Sequence, residues 1–193
     1  MKLLIKPTTK LGFGLFSLGV CCAVLSSTAP AQAQAQNNVL ASGSFEALDK
    51  KGNPTGWVGF SPNAKVVKET KAGRPNRYVV VAPNDPRHTP FITYRLPLKP
   101  QWKTLQISAR MKATKVKMGK QSWQGPRLNL DFHDASGKSL FQLGGPRLNK
   151  DSGWKVISQD VGVPKNAKTL IMQVAVFGPG GQFSVDDIKV VPK

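Results

Sequence analysis

Arg127, Asn129, Asp131 and His133 stand at two-residue spacing, and Trp123 comes just before them. A guanidinium, an amide, a carboxylate and an imidazole in one row can donate and accept hydrogen bonds as planar forks. An aromatic plate at the entrance adds an apolar surface with a defined geometry. Together they suit a ligand rich in hydroxyls, with an apolar ring face and few charges. They do not form an evident catalytic set. Asp131, His133 and Asp134 are close in sequence, but on a strand Asp131 and His133 share a face while Asp134 points away. No nucleophile elbow and no His-Glu zinc motif is present, and His88 stands alone in a proline-rich loop. No enzymatic activity is expected.

The residues between the polar positions say what holds them. Leu128, Leu130 and Phe132 alternate with the row, so residues 127 to 133 read as a strand with one face for a core and one face outward. The same alternation recurs. Leu105, Ile107, Ala109 and Met111 face inward from Thr104 to Met111, with Gln106, Ser108 and Arg110 opposite. Leu170, Met172, Val174 and Val176 face inward from Thr169 to Phe177, with Gln173 and Phe177 opposite. Further short strands are expected at 66–68, 77–82, 91–96, 139–143, 154–163 and 183–191. Gly- and Pro-rich turns separate them, and no window keeps a helical period. The expected fold is all-β, a two-sheet antiparallel β-sandwich.

If the strands beginning at Thr104, Arg127 and Thr169 share a sheet, one face gathers the candidate ligand-binding residues: Trp123, Arg127, Asn129, Asp131, His133, Arg110 and Gln173. The alternative is a merely solvated sheet face, since any half-buried strand alternates. Trp57 and Trp154 read as core.

The chain has 193 residues and a formal net charge of +18. Lys2, Lys6 and Lys10 precede an apolar run from Leu11 to Leu25, followed by Ala29-Pro-Ala31, Ala31-Gln-Ala33 and Ala33-Gln-Ala35. That order is a secretory signal peptide over residues 1–35. The apolar run is short of the roughly 20 residues that a membrane-spanning helix needs. Both cysteines, Cys21 and Cys22, fall within it. A secreted, periplasmic or cell-surface domain without disulfides is therefore expected over residues 36–193, with no membrane span after cleavage. Such a basic surface attracts acidic polymers. The basic residues are spread along the chain without a dense arm, so a nucleic-acid partner is not expected.

Four motifs occur in order: Gly43-Ser-Phe-Glu46, Pro54-Thr-Gly-Trp57, Trp154 leading to Val163-Pro164, and Val185-Asp-Asp-Ile188. In this the chain resembles the carbohydrate-binding modules of the family 4 and 9 type, which have a galactose-binding-like jelly roll. The resemblance covers essentially all of residues 36–193. It implies a concave face for a poly- or oligosaccharide and no catalytic activity; a monomer is expected. It also implies a structural calcium ion, with Glu46 and Asp186 as the candidate ligands where the first and last strands meet. Backbone carbonyls would have to complete its shell of six to eight oxygens. The bland reading of Glu46 and Asp186 is a pair of surface acids among lysines.

Overall fold

A computed structural model describes residues 37–60, 63–83 and 89–193. The signal peptide expected at 1–35, with Cys21 and Cys22, and the lone His88 lie outside the described residues. The described residues belong to one compact unit.

Ten strands lie among the described residues: β1 (Trp57–Val58), β2 (Ala64–Lys71), β3 (Arg74–Val81), β4 (Phe91–Pro97), β5 (Thr104–Lys117), β6 (Gly125–His133), β7 (Ser139–Arg147), β8 (Ser152–Gly162), β9 (Thr169–Phe177) and β10 (Gly180–Pro192). They form two five-stranded sheets, β1-β4-β9-β6-β7 and β2-β3-β10-β5-β8. Every pairing within them is antiparallel. No helix among the described residues is long and apolar enough to cross a membrane.

The period-2 pattern explains why these segments are strands and which side of each is the core. Leu128, Leu130 and Phe132 of β6 lie in register with Val174, Met172 and Leu170 of β9, and all six are fully buried. From the other sheet, Leu105, Ile107, Ala109 and Met111 of β5 and Val185 and Val190 of β10 close the same core. A fully buried side chain of this size contributes roughly 1.5–3 kcal/mol.

Turn chemistry sets the register of the hairpins. Between β2 and β3 the two-residue turn Ala72-Gly73 has both φ angles positive, 49° and 76°. That turn matches the right-handed twist of the strands it joins. Between β6 and β7, Asp134 Oδ1 accepts the backbone N–H groups of Ser136 and Lys138 at 2.8 and 3.0 Å. The edges of the chain also meet. Val39 N donates to Val190 O at 2.9 Å, and Ile188 N donates to Gly43 O at 2.9 Å. A Cβ at residue 43 would lie 1.8 Å from that Ile188 carbonyl, so only glycine allows the approach.

Two expectations are corrected here. β5 is not in the sheet of β6 and β9; it lies between β10 and β8 in the second sheet. Alternation tells which side of a strand is apolar but not which strand lies next to it. Trp154 is not core. It sits half-buried on the outer face of the second sheet, under the Arg110 guanidinium at 4.0 Å and edge-on to Tyr78 at 5.2 Å. Trp57 is core: it is buried against Phe45 and Tyr94, and its Nε1 donates to Ser42 O at 3.0 Å.

Candidate functional site

The outer face of the first sheet is built in rows across strands. One row runs Val58, Thr93, Gln173, Asn129, Gly144, and the next runs Phe91, Ala175, Arg127, Arg147. β6 therefore sits at the centre of the polar face with β9 on one side and β7 on the other. On β7 the four residues from Gly144 to Arg147 match the three from Arg127 to Asn129 on β6, so Gly145-Pro146 forms a bulge. A bulge bends its strand and re-aims the side chains around it. Here it brings Arg147 opposite Arg127.

The polar row is not solvated. Asn129 is 1 % exposed and Arg127 8 %. Their hydrogen bonds form a relay over two strands and a loop. Arg127 Nη1 donates to Trp123 O at 2.9 Å and Nη2 to Asn129 Oδ1 at 3.1 Å. Asn129 Nδ2 then donates to Gln173 Oε1 at 3.0 Å. The guanidinium carbon also stands 5.3 Å from the Phe177 ring centroid, a cation–π contact. Burial and the Arg147 charge both pull the Arg127 pKa down from its ordinary value. A guanidinium nonetheless stays protonated in proteins, so the group remains a cation.

A cleft of about 770 Å³ opens beside this relay, with Trp123, Arg127, Asn129, Arg147, Gln159 and Phe177 in its wall. Trp123 is its rim. It meets Phe177 edge-on and is 49 % exposed, which leaves much of its ring open. Gln159 enters from β8 of the other sheet and donates to Gly144 O at 3.2 Å.

Of the residues anticipated from the sequence, Trp123, Arg127, Asn129 and Gln173 come together. Asp131 and His133 share the face but lie beyond the cleft and bind each other, with His133 Nε2 2.8 Å from Asp131 Oδ2. Asp131 also accepts from Ser139 Oγ at 2.6 Å. His133 Nδ1 lies 2.7 Å from Gly137 O, and since a carbonyl only accepts, that nitrogen carries the proton. The bond to Asp131, then the bond to Gly137, raise the His133 pKa above its ordinary value. Arg110 is not part of the face, because β5 belongs to the other sheet. Arg147, Phe177 and Gln159 complete the cleft. Phe177 was legible as the last outward position of β9. Arg147 and Gln159 were not, because one follows a bulge and the other reaches in from the second sheet.

The anticipated calcium ligands have other partners. Asp186, fully buried, accepts from Arg110 Nη1 at 2.8 Å, from Asn76 Nδ2 at 3.2 Å and from the Asp187 N–H at 2.8 Å. Burial and Asp187 raise its pKa, against the pull of Asn76, Asp187 N–H and Arg110. Glu46 accepts from Arg77 N at 2.7 Å and Arg77 Nη1 at 3.1 Å. Arginine and N–H donors occupy the oxygens that calcium would need, so this donor set does not fit a calcium cage. Among the described residues no group of three or more His, Cys, Asp or Glu side chains gathers anywhere.

No family model and no curated protein matches the sequence. Solved structures do match in fold. The CBM22-1 xylan-binding domain from Paenibacillus barcinonensis Xyn10C is 14 % identical, with a TM-score of 0.52 over 83 % of this chain and 97 % of that one. The Family 16 Carbohydrate Binding Module-2 is 16 % identical, with a TM-score of 0.51 over 80 % of this chain and 99 % of that one. The enzymatically active domain of Bacteriophage CBA120 tailspike protein 4 is 12 % identical, with a TM-score of 0.55 over 81 % of this chain. The match spans only 21 % of that chain. The chain thus has the jelly-roll fold of carbohydrate-binding modules. These neighbours do not single out the family 4 and 9 type.

Proposed function

We propose that this protein is a glycan-binding module without catalytic activity, which holds a poly- or oligosaccharide in the cleft of the first sheet. The observation that carries the reading is the half-exposed Trp123 standing beside the buried Arg127–Asn129–Gln173 relay. Trp123 offers a plate for the apolar face of a sugar ring, and the relay offers fixed polar groups for its hydroxyls. The fold supports the reading, since two of its neighbours are named for carbohydrate binding and one of these for xylan. The described wall of the cleft carries arginines, amides and aromatic rings and no carboxylate, whereas most glycoside hydrolases use a pair of carboxylates.

The module acts outside the cytoplasm and as a monomer on this reading, after loss of residues 1–35. Titration calorimetry of the domain against a panel of neutral and acidic oligosaccharides tests it. Saturable binding that Trp123→Ala abolishes supports the site. Absence of binding across the panel, or turnover of any member, overturns it. A second reading, a basic envelope or matrix protein that holds acidic polymers by charge alone, is favoured by the net charge of +18, of which Lys2, Lys6 and Lys10 of the expected signal peptide supply only three. Its binding would vanish in moderate salt, whereas a stacked and hydrogen-bonded sugar persists.

A further inference from the structure

Arg127 and Arg147 lie directly opposite each other on β6 and β7. Like charges facing across a strand pair destabilise it, and a buried charge ordinarily has a counter-charge. Neither arginine has one among the described residues. Arg127 bonds only to the Trp123 carbonyl and the Asn129 amide, and its Nε is buried with no partner. Arg147 donates through Nη1 to Ser122 O at 2.9 Å, also a neutral acceptor. The nearest acid along β6, Asp131, is committed to His133 and Ser139.

The amides of the floor have assigned roles. Asn129 Oδ1 accepts from Arg127, so Asn129 Nδ2 must donate to Gln173 Oε1. That leaves the Gln173 Nε2 as the group not used by the relay, and it is a donor. Gln173 thus adds an N–H donor on the side of Asn129, while Gln159, whose Nε2 is used on Gly144 O, keeps an acceptor oxygen. The preference for an anion rests on the two guanidinium groups that lack a counter-charge among the described residues. A neutral sugar offers hydroxyls that donate and accept alike. A carboxylate or sulfate offers only acceptor oxygens and brings the missing negative charge.

We propose that the glycan held in this cleft is acidic, and that its carboxylate or sulfate group sits between Arg127 and Arg147 as their counter-ion. This rests on the glycan-binding reading and narrows it to one ligand class.

The test uses matched pairs that differ only in charge, on the purified domain at constant ionic strength. Oligogalacturonate is compared with its fully methyl-esterified form, and sulfated galactan oligosaccharide with its desulfated form. Arg147→Gln and Arg147→Lys are measured beside the native protein, with melting curves to show that each is folded. Arg147 is exposed, so its loss leaves the core untouched. The expected result is at least about tenfold tighter binding of the charged member of one pair, as suits a charge-assisted hydrogen bond. Arg147→Gln removes that preference and Arg147→Lys restores part of it. Whichever pair shows the preference identifies the group as carboxylate or sulfate. Equal affinity within both pairs overturns the inference while leaving the glycan-binding reading in place. A preference for charge that Arg147→Gln does not change also overturns it, and assigns the effect to the basic surface at large. Failure to bind any of the four ligands, and any neutral glycan of the wider panel, overturns both.

Discussion

Trp123 meets Phe177 nearly at right angles, with ring centroids 5.9 Å apart and an interplanar angle of 78°. Phe177 is the last residue of β9, so a loop side chain is braced against a strand. The brace holds an aromatic plate at the mouth of the cleft without burying it. A plate fixed in this way loses little entropy when a ring stacks on it.

Trp123→Ala should therefore weaken glycan binding by about 2 kcal/mol or more, the cost typical of a dominant contact. Its effect on folding should stay near 0.5 kcal/mol, as for surface changes. Trp57→Ala, which empties a buried site, should instead destabilise by about 3–5 kcal/mol. Paired calorimetry and thermal melts check both. If Trp123→Ala unfolds the domain as Trp57→Ala does, the rim assignment fails.

Asn129→Ala should cost both stability and binding. It leaves Arg127 Nη2 and Gln173 Oε1 without their partner in a nearly closed place. Each unsatisfied group costs about 1–3 kcal/mol. Asn129→Asp should behave differently: it gives Arg127 a carboxylate at the Asn129 Oδ1 position and so removes the need for an external anion. The domain should remain folded and lose its preference for charged glycans. Urea titrations and the matched glycan pairs measure the two effects.

Arg110 pairs with the buried Asp186 at 2.8 Å. Removing one member of a buried ion pair costs about 3–5 kcal/mol, because the other is left uncompensated. Arg110→Ala should therefore lower the melting temperature sharply, and Arg110→Ala with Asp186→Asn should recover part of the loss. Excess chelator should leave the melt of the native protein unchanged. A calcium-dependent rise in melting temperature would show that the Arg110 pairing yields to an ion.

The His133 charge should add stability on the acid side. Its pKa is raised in the folded state by Asp131 and Gly137. The contribution is thus fully present below the unfolded value of about 6.5 and is lost as pH rises through the higher folded value. An imidazole titration followed by NMR should give a midpoint above 6.5, and Asp131→Asn should lower it. Glycan binding should change little over the same range, since His133 is not in the wall of the cleft.

The alternation from Arg127 to His133 was enough to place β6, its core side and its polar side. It also gave Leu170 to Val176 and Leu105 to Met111 their correct inward faces. It failed at Arg110 because periodicity is a property of one strand, whereas sheet membership depends on which strands pair. It missed Arg147 because Gly144-Gly-Pro146 breaks the two-residue rhythm at the place where the cleft is made. Trp154 was misread for a different reason: an aromatic ring can be half-buried by an arginine lying on it as well as by a core.

The strand β6 has unlike ends. At its start stand Gly125 and, across from it, Phe177, with Trp123 nearby; at its close stand the paired Asp131 and His133. Between them the polar positions repeat about every 6.8 Å, twice the rise of an antiparallel strand. The face therefore has a head and a tail. A linear polymer lying along it meets rings, then cations, then amides in the cleft, and passes the neutralised charge pair only beyond it, in that order only. Turned end for end, the same polymer would present its groups to the wrong partners. The module would thus fix the direction of a chain as well as its composition, and anything attached to that chain would be held pointing one way.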